Sequence, residues 1–217
     1  MEFKLYNYYR SSASFRVRAA LNLKGLQYDY IPIHLLKNGG EQKHPEYLRK
    51  NPMGQVPCLE HNGRFISQSM AILMYLDELY PKPLLFPQDI FEKTKVLEVC
   101  EAINSGIQPL HNTAVSVQLE KQFGAGPEAR VEWMKFWIEK GLTALEKTLE
   151  STAGTYCFGG QLTAADLFLV PQLFSTRRFI GNDSTEKYTL LSQIEKNCMN
   201  LEAFRRAEPS VQPDAGT

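Results

Sequence analysis

The order of apolar and polar positions predicts short, mixed elements in the first eighty residues of the chain. The opening run FKLYNYY predicts a strand, and residues 11–24 follow as a helix that ends at Gly25. The run at 28–36 predicts a second strand, in which Pro32 favours an edge position. Residues 55–66 predict a hairpin, because Asn-Gly at 62–63 favours a tight turn between two apolar runs.

Helical spacing dominates after this hairpin. Residues 70–80 place apolar side chains on one face, and residues 92–119 and 131–149 predict two long helices. The stretch YPKPLLFPQD holds three prolines, which is typical of a linker. The predicted organisation is therefore an α/β domain over 1–81, a linker over 82–88 and an all-helical domain over 89–217.

Two local signals refine these elements. The residues Thr163-Ala-Ala-Asp166 resemble a capping box at the start of a further helix, with Asp in the usual place of Glu. Val56-Pro57 enters the hairpin, and X-Pro bonds at turns and strand entries are where cis peptide bonds are retained. We therefore expect a helix from about 163 and treat Pro57 as a candidate cis-proline.

Composition excludes several classes of function. The 217 residues carry 24 basic and 24 acidic side chains, which argues against broad binding to nucleic acid. The start of the chain does not resemble a secretory signal, and no apolar run approaches the ~20 residues that cross a bilayer. The 4 cysteines and 4 histidines are scattered without metal-ligand spacing, so we expect no metal site and reduced thiols in the cytoplasm.

The stretch RSSASFRVR, residues 10–18, places hydroxyls and arginines at the predicted start of the first helix. A serine hydrolase is disfavoured, because no G-x-S-x-G motif surrounds the serines and no histidine is near in sequence. A helix start can bind an anion such as a phosphate, carboxylate or thiolate. The serines are equally suited to a simple helix cap. A second helix starts at Gln68-Ser69, and if the two helix starts met they would form a two-sided anion site.

Seven motifs follow one another along almost the whole chain. They are SSASFRVRAALNLKG, NPMGQVPCLEHNG, ISQSMAILMYLDELYP, GIQPLHN, YCFGGQLTAADLFLVPQ, RRF and NLEAFRRAEPSVQPD. Together and in this order they resemble the zeta class of the glutathione transferases, a group that includes maleylacetoacetate and maleylpyruvate isomerases. The resemblance implies a thioredoxin-like N-terminal domain, an all-α C-terminal domain and a homodimer that binds glutathione.

The resemblance also implies the residues of the site. Ser11 matches the family's catalytic serine, and Ser12 supports it. Arg178 matches an arginine that faces the substrate carboxylate, and Arg10 is the second candidate for that role. Pro57 is implied to be the cis-proline, with the Val56 backbone pairing with the cysteinyl unit of glutathione. The other implied cofactor-binding residues are Ser11 and Ser12 themselves with Ala13, Ser14, Phe15, Arg16, Gln42, Gln68, Ser69, Gln108 and Asn112.

The chain departs from the animal and plant signature Ser-Ser-Cys-Ser-Trp-Arg at two positions, where it has Ala13 and Phe15. The loop therefore has no sulfur of its own. The resemblance implies that glutathione supplies the nucleophile and that Ser11 keeps its sulfur ionised.

The implied activity is the conversion of maleylacetoacetate to fumarylacetoacetate in tyrosine and phenylalanine catabolism, on a dicarboxylate keto-acid substrate. Alternatives that share the site are a maleylpyruvate isomerase of gentisate breakdown and a general transferase acting on α-halo acids. A thioredoxin-like/helical module without enzymatic activity is a further alternative. The presence of Ser11, Val56-Pro57 and Gln68-Ser69 disfavours it.

Overall fold

Four short strands form one sheet in the computed structural model, which describes residues 2–216. The strands are β1 (Phe3–Asn7), β2 (Asp29–Pro32), β3 (Cys58–His61) and β4 (Arg64–Ser67), in the spatial order β2-β1-β3-β4. β1 is parallel to β2 and antiparallel to β3, and β3 and β4 form the predicted hairpin. Asn62 and Gly63 have φ angles of 51° and 76°, as a type I′ turn requires. Pro32 lies on an edge strand, which confirms that prediction.

Helices account for most of the remaining chain. They are α1 (Ser12–Leu23), α2 (Pro45–Leu48), α3 (Ser69–Leu79), α4 (Ile90–Gly106), α5 (Thr113–Phe123), α6 (Pro127–Leu149), α7 (Ala164–Ile180), α8 (Thr189–Met199) and α9 (Glu202–Arg205). The first elements follow the order β-α-β-α-β-β-α, so the thioredoxin-like sheet and helices expected from the motifs are present.

The contacts divide the chain into two units, of which the first comprises Met1–Leu85 and Met199–Thr217. Residues 1 and 217, which bound the predicted domains, lie outside the described range. The sequence predicts that residues 199–216 belong to the helical domain, whereas in the structure they pack in the first unit. For example, the Asn22 amide of α1 donates to the Ala203 carbonyl at 3.1 Å. Such a contact joins distant parts of the chain, so local patterns do not reveal it.

The start of the predicted linker is fixed to this first unit by one buried ion pair. Lys24 Nζ lies 2.8 Å from Asp77 Oδ1 and also donates to the carbonyl oxygens of Tyr80 and Pro83. The end of this segment is fixed to the same carboxylate, because the Leu85 N–H donates to Asp77 Oδ1 at 2.8 Å. Segment 80–85 therefore packs as a part of the first unit.

The second unit, Phe86–Cys198, is helical. The single helix predicted over 92–119 is wrong: α4 ends at Gly106, a short 3₁₀ turn follows at Gln108–His111, and α5 starts at Thr113. The physical reason is local, because Pro109 has no N–H to donate and Asn112 caps α5 by accepting from the Ala114 N–H at 2.9 Å. The helix predicted over 131–149 is present and starts earlier, at Pro127.

The capping box predicted at the start of α7 is confirmed. Asp166 accepts hydrogen bonds from the Thr163 N–H at 2.8 Å and from the Thr163 hydroxyl at 3.2 Å. Its other carboxylate oxygen accepts from the Cys157 N–H at 2.8 Å. One buried carboxylate thus joins the start of the helix to the preceding loop. Throughout residues 2–216, no helix combines the length and the apolar character that crossing a membrane demands.

Candidate active site

The hydroxyl of Ser11 is the best-placed donor at the start of α1. Ser11 is the N-cap residue, with φ −71° and ψ 120°, and its Oγ accepts a hydrogen bond from the Ser14 N–H at 3.1 Å. Its own N–H donates to the Tyr8 carbonyl at 3.0 Å. The cap uses a lone pair of the hydroxyl oxygen, so the hydroxyl proton remains available for an anion in front of the helix.

The first turn of α1 strengthens this preference for an anion. The N–H groups of Ser12 and Ala13 have no carbonyl four residues earlier within the helix to bind. The turn contains no acidic side chain, so nothing there offsets the positive end of the helix dipole. The start of α1 is thus a helix cap formed by Ser11, and its role as an anion site stays a prediction.

Three of the residues predicted to bind the cofactor lie instead in the interior. The side chains of Ser14, Phe15 and Arg16 are at most 1% exposed. The Ser14 hydroxyl accepts from the Tyr8 N–H at 3.4 Å, which supports the loop from behind. Consecutive residues of a helix point in different directions, so only some of them can face a ligand with their side chains, and the part of these three in cofactor binding stays a prediction.

The buried Arg16 joins the two helix starts that the sequence singled out. Its guanidinium donates to the Ser69 hydroxyl at 3.1 Å, and Ser69 is the first residue of α3. Gln68, immediately before Ser69, has φ 71° and ψ 117°, a conformation that residues other than glycine rarely adopt. Such backbone strain concentrates at functional sites. The starts of α1 and α3 are therefore held together, which periodicity alone could not establish.

The segment before the hairpin is held by side chains that the sequence analysis did not identify. The Val56-Pro57 bond is cis, which confirms the prediction. The carbonyl of Gln55 accepts from the Tyr47 hydroxyl at 2.5 Å and from the Asn51 amide at 2.7 Å. These bonds fix the backbone that leads into Val56. No local pattern marks Tyr47 or Asn51 for this role.

Gln42 is anchored by one end of its amide only. Its Nε2 donates weakly to the Leu35 carbonyl at 3.4 Å, whereas its Oε1 is buried without a hydrogen-bond partner. A buried acceptor without a partner is costly, so this oxygen is suited to receive an N–H from a ligand. Gly40 leaves room for the Gln42 amide. A Cβ at position 40 would lie 2.8 Å from Gln42 Nε2 and 2.9 Å from its Oε1.

In the second unit, the motifs GIQPLHN and RRF come together. His111 hydrogen-bonds to Gln172 of α7 at 3.0–3.2 Å, and its ring packs 5.1 Å from the ring of Phe179. The Arg178 guanidinium lies 4.8 Å from the centre of that same Phe179 ring. The structure therefore groups His111, Phe179 and Arg178. The sequence named Arg178 but gave no signal for Gln172 or Phe179 as its supports.

The predicted residues Gln108 and Asn112 flank this group. Gln108 begins the 3₁₀ turn that contains His111, and Asn112 ends it by capping α5. The Trp133 indole donates to the Leu110 carbonyl at 2.8 Å, which fixes the same turn to α6. The meeting of these residues with the residues around Ser11 stays a prediction.

The two neighbouring arginines of RRF differ in what they bind. Arg177 forms a two-pronged ion pair with Glu195, at 2.8 Å and 2.6 Å, and donates to Thr185. The Arg178 guanidinium packs against the Phe179 ring. Arg177 is thus committed to structure, and the role of Arg178 toward a substrate carboxylate stays a prediction.

Arg10, the other arginine that the sequence proposed for a carboxylate, lies directly before Ser11. Its guanidinium lies 5.0 Å from the centre of the Tyr9 ring, and its Nε is buried without a hydrogen-bond partner. Arg10 thus adds a cationic side chain directly before the helix start, and its role toward a carboxylate stays a prediction.

The cysteines do not contribute a reactive thiol. All four are reduced and buried. Burial raises the pKa of Cys58 to about 11 and raises the pKa of both Cys157 and Cys198, so these thiols stay protonated at neutral pH. Among the described residues no cluster of three or more histidines, cysteines or carboxylates could hold a metal ion.

Comparison with known proteins relates the chain to one family. The family model of the glutathione S-transferase N-terminal domain matches residues 1–78, and that of the C-terminal domain matches residues 138–191. The maleylacetoacetate isomerase of Rattus norvegicus is 45% identical over 210 residues, which cover 97% of this chain and 94% of the relative.

Two solved structures are similar over nearly the whole chain. The holo structure of a maleylpyruvate isomerase, a bacterial glutathione transferase of the zeta class, has a TM-score of 0.92 and 38% identity, covering 98% of this chain and 100% of that one. The maleylacetoacetate isomerase of Anaeromyxobacter dehalogenans with glutathione bound in the active site has a TM-score of 0.87 and 40% identity, covering 99% of this chain and 98% of that one.

Proposed function

The chain belongs to the zeta class of the glutathione transferases, and from that premise we propose that it catalyses the glutathione-dependent cis–trans isomerisation of maleylacetoacetate to fumarylacetoacetate. The observation that carries the proposal is the Ser11 hydroxyl, which caps α1 through its oxygen and keeps its proton for an anion. With Ala13 in the same loop and the cysteines buried, the chain offers no thiol of its own.

The residues present fit glutathione. Its carboxylates and peptide N–H groups need donors and acceptors, and its sulfur needs a donor when ionised. The Ser69 hydroxyl accepts from Arg16, which leaves its proton for a carboxylate at the start of α3. The buried Oε1 of Gln42 has no hydrogen-bond partner and would accept from a peptide N–H. Val56, beside cis-Pro57, would pair with the cysteinyl unit through its backbone.

Glutathione, when bound, supplies the thiolate that adds reversibly to the cis double bond of the substrate and so permits rotation about it. The task of the chain is to hold that sulfur ionised. A free thiol has a pKa of about 8.5, and keeping it mostly ionised at neutral pH takes about 2.7 kcal/mol. The helix start contributes about 0.3–1 kcal/mol, or about 2 when partly buried. A hydrogen bond to a charged acceptor contributes about 1.5–3 kcal/mol.

These free energies assign the main role in keeping the sulfur ionised to the Ser11 hydroxyl. The dipole of α1 alone does not comfortably reach the required free energy, whereas the dipole and one hydroxyl donor together do. Ser12 and the first N–H groups of α1 add further donors. Because all of them belong to a single helix start, they need no rearrangement when charge develops on the sulfur.

The substrate carries carboxylates, and two arginines are proposed to bind them. The proposal for Arg178 is supported by the family motif, and its guanidinium lies 4.8 Å from the centre of the Phe179 ring. Arg10 lies next to Ser11 and is the second candidate. Gln108 and Asn112 are proposed to contact bound glutathione from the turn that His111 and Trp133 hold in place.

Maleylpyruvate is the second candidate substrate, since one of the similar solved structures is a maleylpyruvate isomerase. Both reactions use the same site residues. A comparative assay on maleylacetone and maleylpyruvate, each with and without glutathione, separates the two. We expect faster turnover of maleylacetone and a strict dependence on glutathione. Faster turnover of maleylpyruvate would identify maleylpyruvate as the preferred substrate. Turnover without glutathione would overturn the proposal.

We also propose that the enzyme works in the cytoplasm as a homodimer. The four cysteines are reduced and buried, which supports a reducing compartment. The dimer is an expectation from the zeta class. Light scattering coupled to size-exclusion chromatography tests it, with a mass near twice the 24.7 kDa of the chain expected and the mass of a single chain contradicting it.

A further inference from the structure

We infer that two side chains, Asp214 and Arg18, are positioning residues for the loop that carries Arg10 and Ser11, through their own hydrogen bonds to that loop. The inference rests on the proposed function in one respect, namely that Ser11 acts on the bound sulfur. It concerns residues outside the set proposed above to bind substrate or glutathione. The geometry that carries it lies entirely within the first unit.

Asp214 holds the loop by its backbone. One carboxylate oxygen accepts from the Tyr9 N–H at 3.1 Å, and the other accepts from the Tyr30 hydroxyl of β2. Asp214 is only 6% exposed, although it lies three residues from the end of the chain. A buried carboxylate needs such partners, and here one of them is an N–H two residues before Ser11.

Arg18 connects the same loop to the C-terminal segment 207–214 from the other side. Its guanidinium donates to the Tyr9 carbonyl and, through Nε, to the Ala207 carbonyl, both at 3.0 Å. It also donates to the Asn7 amide oxygen at 3.0 Å and to the Tyr8 carbonyl at 3.4 Å. The side chain is fully buried, and burial lowers its pKa to about 10. The Arg18 charge is thus buried in the core, where its N–H groups donate mainly to backbone carbonyl oxygens.

These contacts fix the atoms on which the Ser11 geometry depends. The Tyr8 carbonyl accepts both from Arg18 and from the Ser11 N–H, the latter at 3.0 Å. The Tyr9 peptide is held at its N–H by Asp214 and at its carbonyl by Arg18. Loss of either contact would release Tyr9 and Arg10, and with them the direction of the Ser11 hydroxyl.

A matched pair of variants separates positioning from general stability. Asp214→Ala removes the acceptor for the Tyr9 N–H. Gln212→Ala is the control, because its amide anchors the same segment, donating to the Arg206 and Glu208 carbonyls at 2.8 Å each, without touching the loop. Two milder variants, Asp214→Asn and Tyr30→Phe, keep the test available if Asp214→Ala does not fold.

The primary readout is hydrogen–deuterium exchange of the peptide that contains residues 8–12, measured in the full chain without glutathione. We expect Asp214→Ala to speed exchange there about tenfold, the effect of losing one hydrogen bond to a charged group. Gln212→Ala should lower Tm and leave this peptide unchanged. When glutathione is bound, Asp214→Ala should raise the pKa of the glutathione thiol. It should also lower kcat more than it changes KM.

Two results would overturn the inference. One is unchanged exchange of residues 8–12 in the Asp214 variants. The other is an equal increase in the exchange rate of residues 8–12 in Gln212→Ala, compared at the same loss of Tm. That result would give Asp214 a purely structural role. Failure of the proposed function looks different, because the wild-type chain would then lack isomerase activity while the exchange difference between the variants persisted.

Discussion

The guanidinium of Arg16 and the hydroxyl of Ser69 are joined by a buried hydrogen bond of 3.1 Å, which connects α1 to the first residue of α3. Because Arg16 uses a lone pair of the Ser69 oxygen, the hydroxyl proton is directed to another acceptor. The buried positive charge behind it also favours an anion at this point. Arg16 therefore acts on the site although it is fully buried.

Replacing Arg16 by methionine tests this arrangement. We expect the dissociation constant of glutathione to rise about tenfold, the size of one hydrogen bond to a charged group, with little change in the pKa of the bound thiol. Isothermal titration calorimetry measures the affinity. Ser69→Ala should show a similar loss, and the double variant should lose little more, because the two side chains act as one unit. Strict additivity of the two losses would contradict the account.

Gly40→Ala tests the position of Gln42. The added Cβ would lie within 3 Å of both Gln42 amide atoms, so that side chain must move. We expect about a fivefold rise in KM for glutathione, the value of one ordinary hydrogen bond. Gly39→Ala is the matched control, because Gly39 also has a positive φ, 75°, but has open space around it. An equal effect of both substitutions on KM would remove Gln42 from the site.

Arg178 and Arg177 form the second matched pair. Arg178→Ala should raise KM for the carboxylated substrate about tenfold or more and leave glutathione affinity unchanged, since it removes a charged hydrogen bond to the substrate alone. Arg177→Ala breaks the ion pair with Glu195 and should lower Tm with little effect on KM. Steady-state kinetics with each ligand varied in turn gives the comparison. A change confined to glutathione affinity in Arg178→Ala would show that its assigned role is wrong.

Buried thiols with raised pKa values predict that the native chain resists alkylation. A raised pKa means that the thiolate appears only at higher pH, so reaction with iodoacetamide at pH 7–8 should be slow and should accelerate only as pH rises toward the pKa of about 11 for Cys58. All 4 cysteines should react after denaturation. Mass spectrometry counts the modified sites. Ala13→Cys should add one fast-reacting site, and rapid labelling of the unaltered chain would contradict the prediction.

How much the sequence predicts depends on how local each feature is. The Asn62-Gly63 turn and the Ser11 cap are encoded within a few residues, and both were predicted. The Val56-Pro57 cis bond was expected chiefly through the family resemblance. The break between α4 and α5 was missed, because apolar periodicity continues across Pro109 although the hydrogen-bond ladder does not.

The supports of the site were missed for a different reason. Arg18 reaches the Ala207 carbonyl across 189 positions of the chain, and His111 reaches Gln172 across 61. Neither contact has a local pattern. The family motif includes Arg16 among the residues of the site, and its place in the first turns of α1 also favours a structural role; the sequence does not reveal its partner, the Ser69 hydroxyl.

The central claim is that the Ser11 hydroxyl keeps the bound sulfur ionised. The most direct measurement is the ultraviolet thiolate absorbance of bound glutathione as a function of pH, in Ser11→Ala and in the Ser11→Thr variant that keeps a hydroxyl. Asp89→Ala is the control for a lost helix cap, because Asp89 caps α4 by accepting from the Phe91 and Glu92 N–H groups. Both alanine substitutions should cost about 1 kcal/mol of stability.

The account predicts that the pKa of the bound thiol rises toward the free value of about 8.5 in Ser11→Ala. It should stay low in Ser11→Thr and in Asp89→Ala, and kcat/KM on maleylacetone should fall only in Ser11→Ala. A bound thiol that keeps its low pKa in Ser11→Ala would contradict the claim and assign the ionisation to the helix start alone.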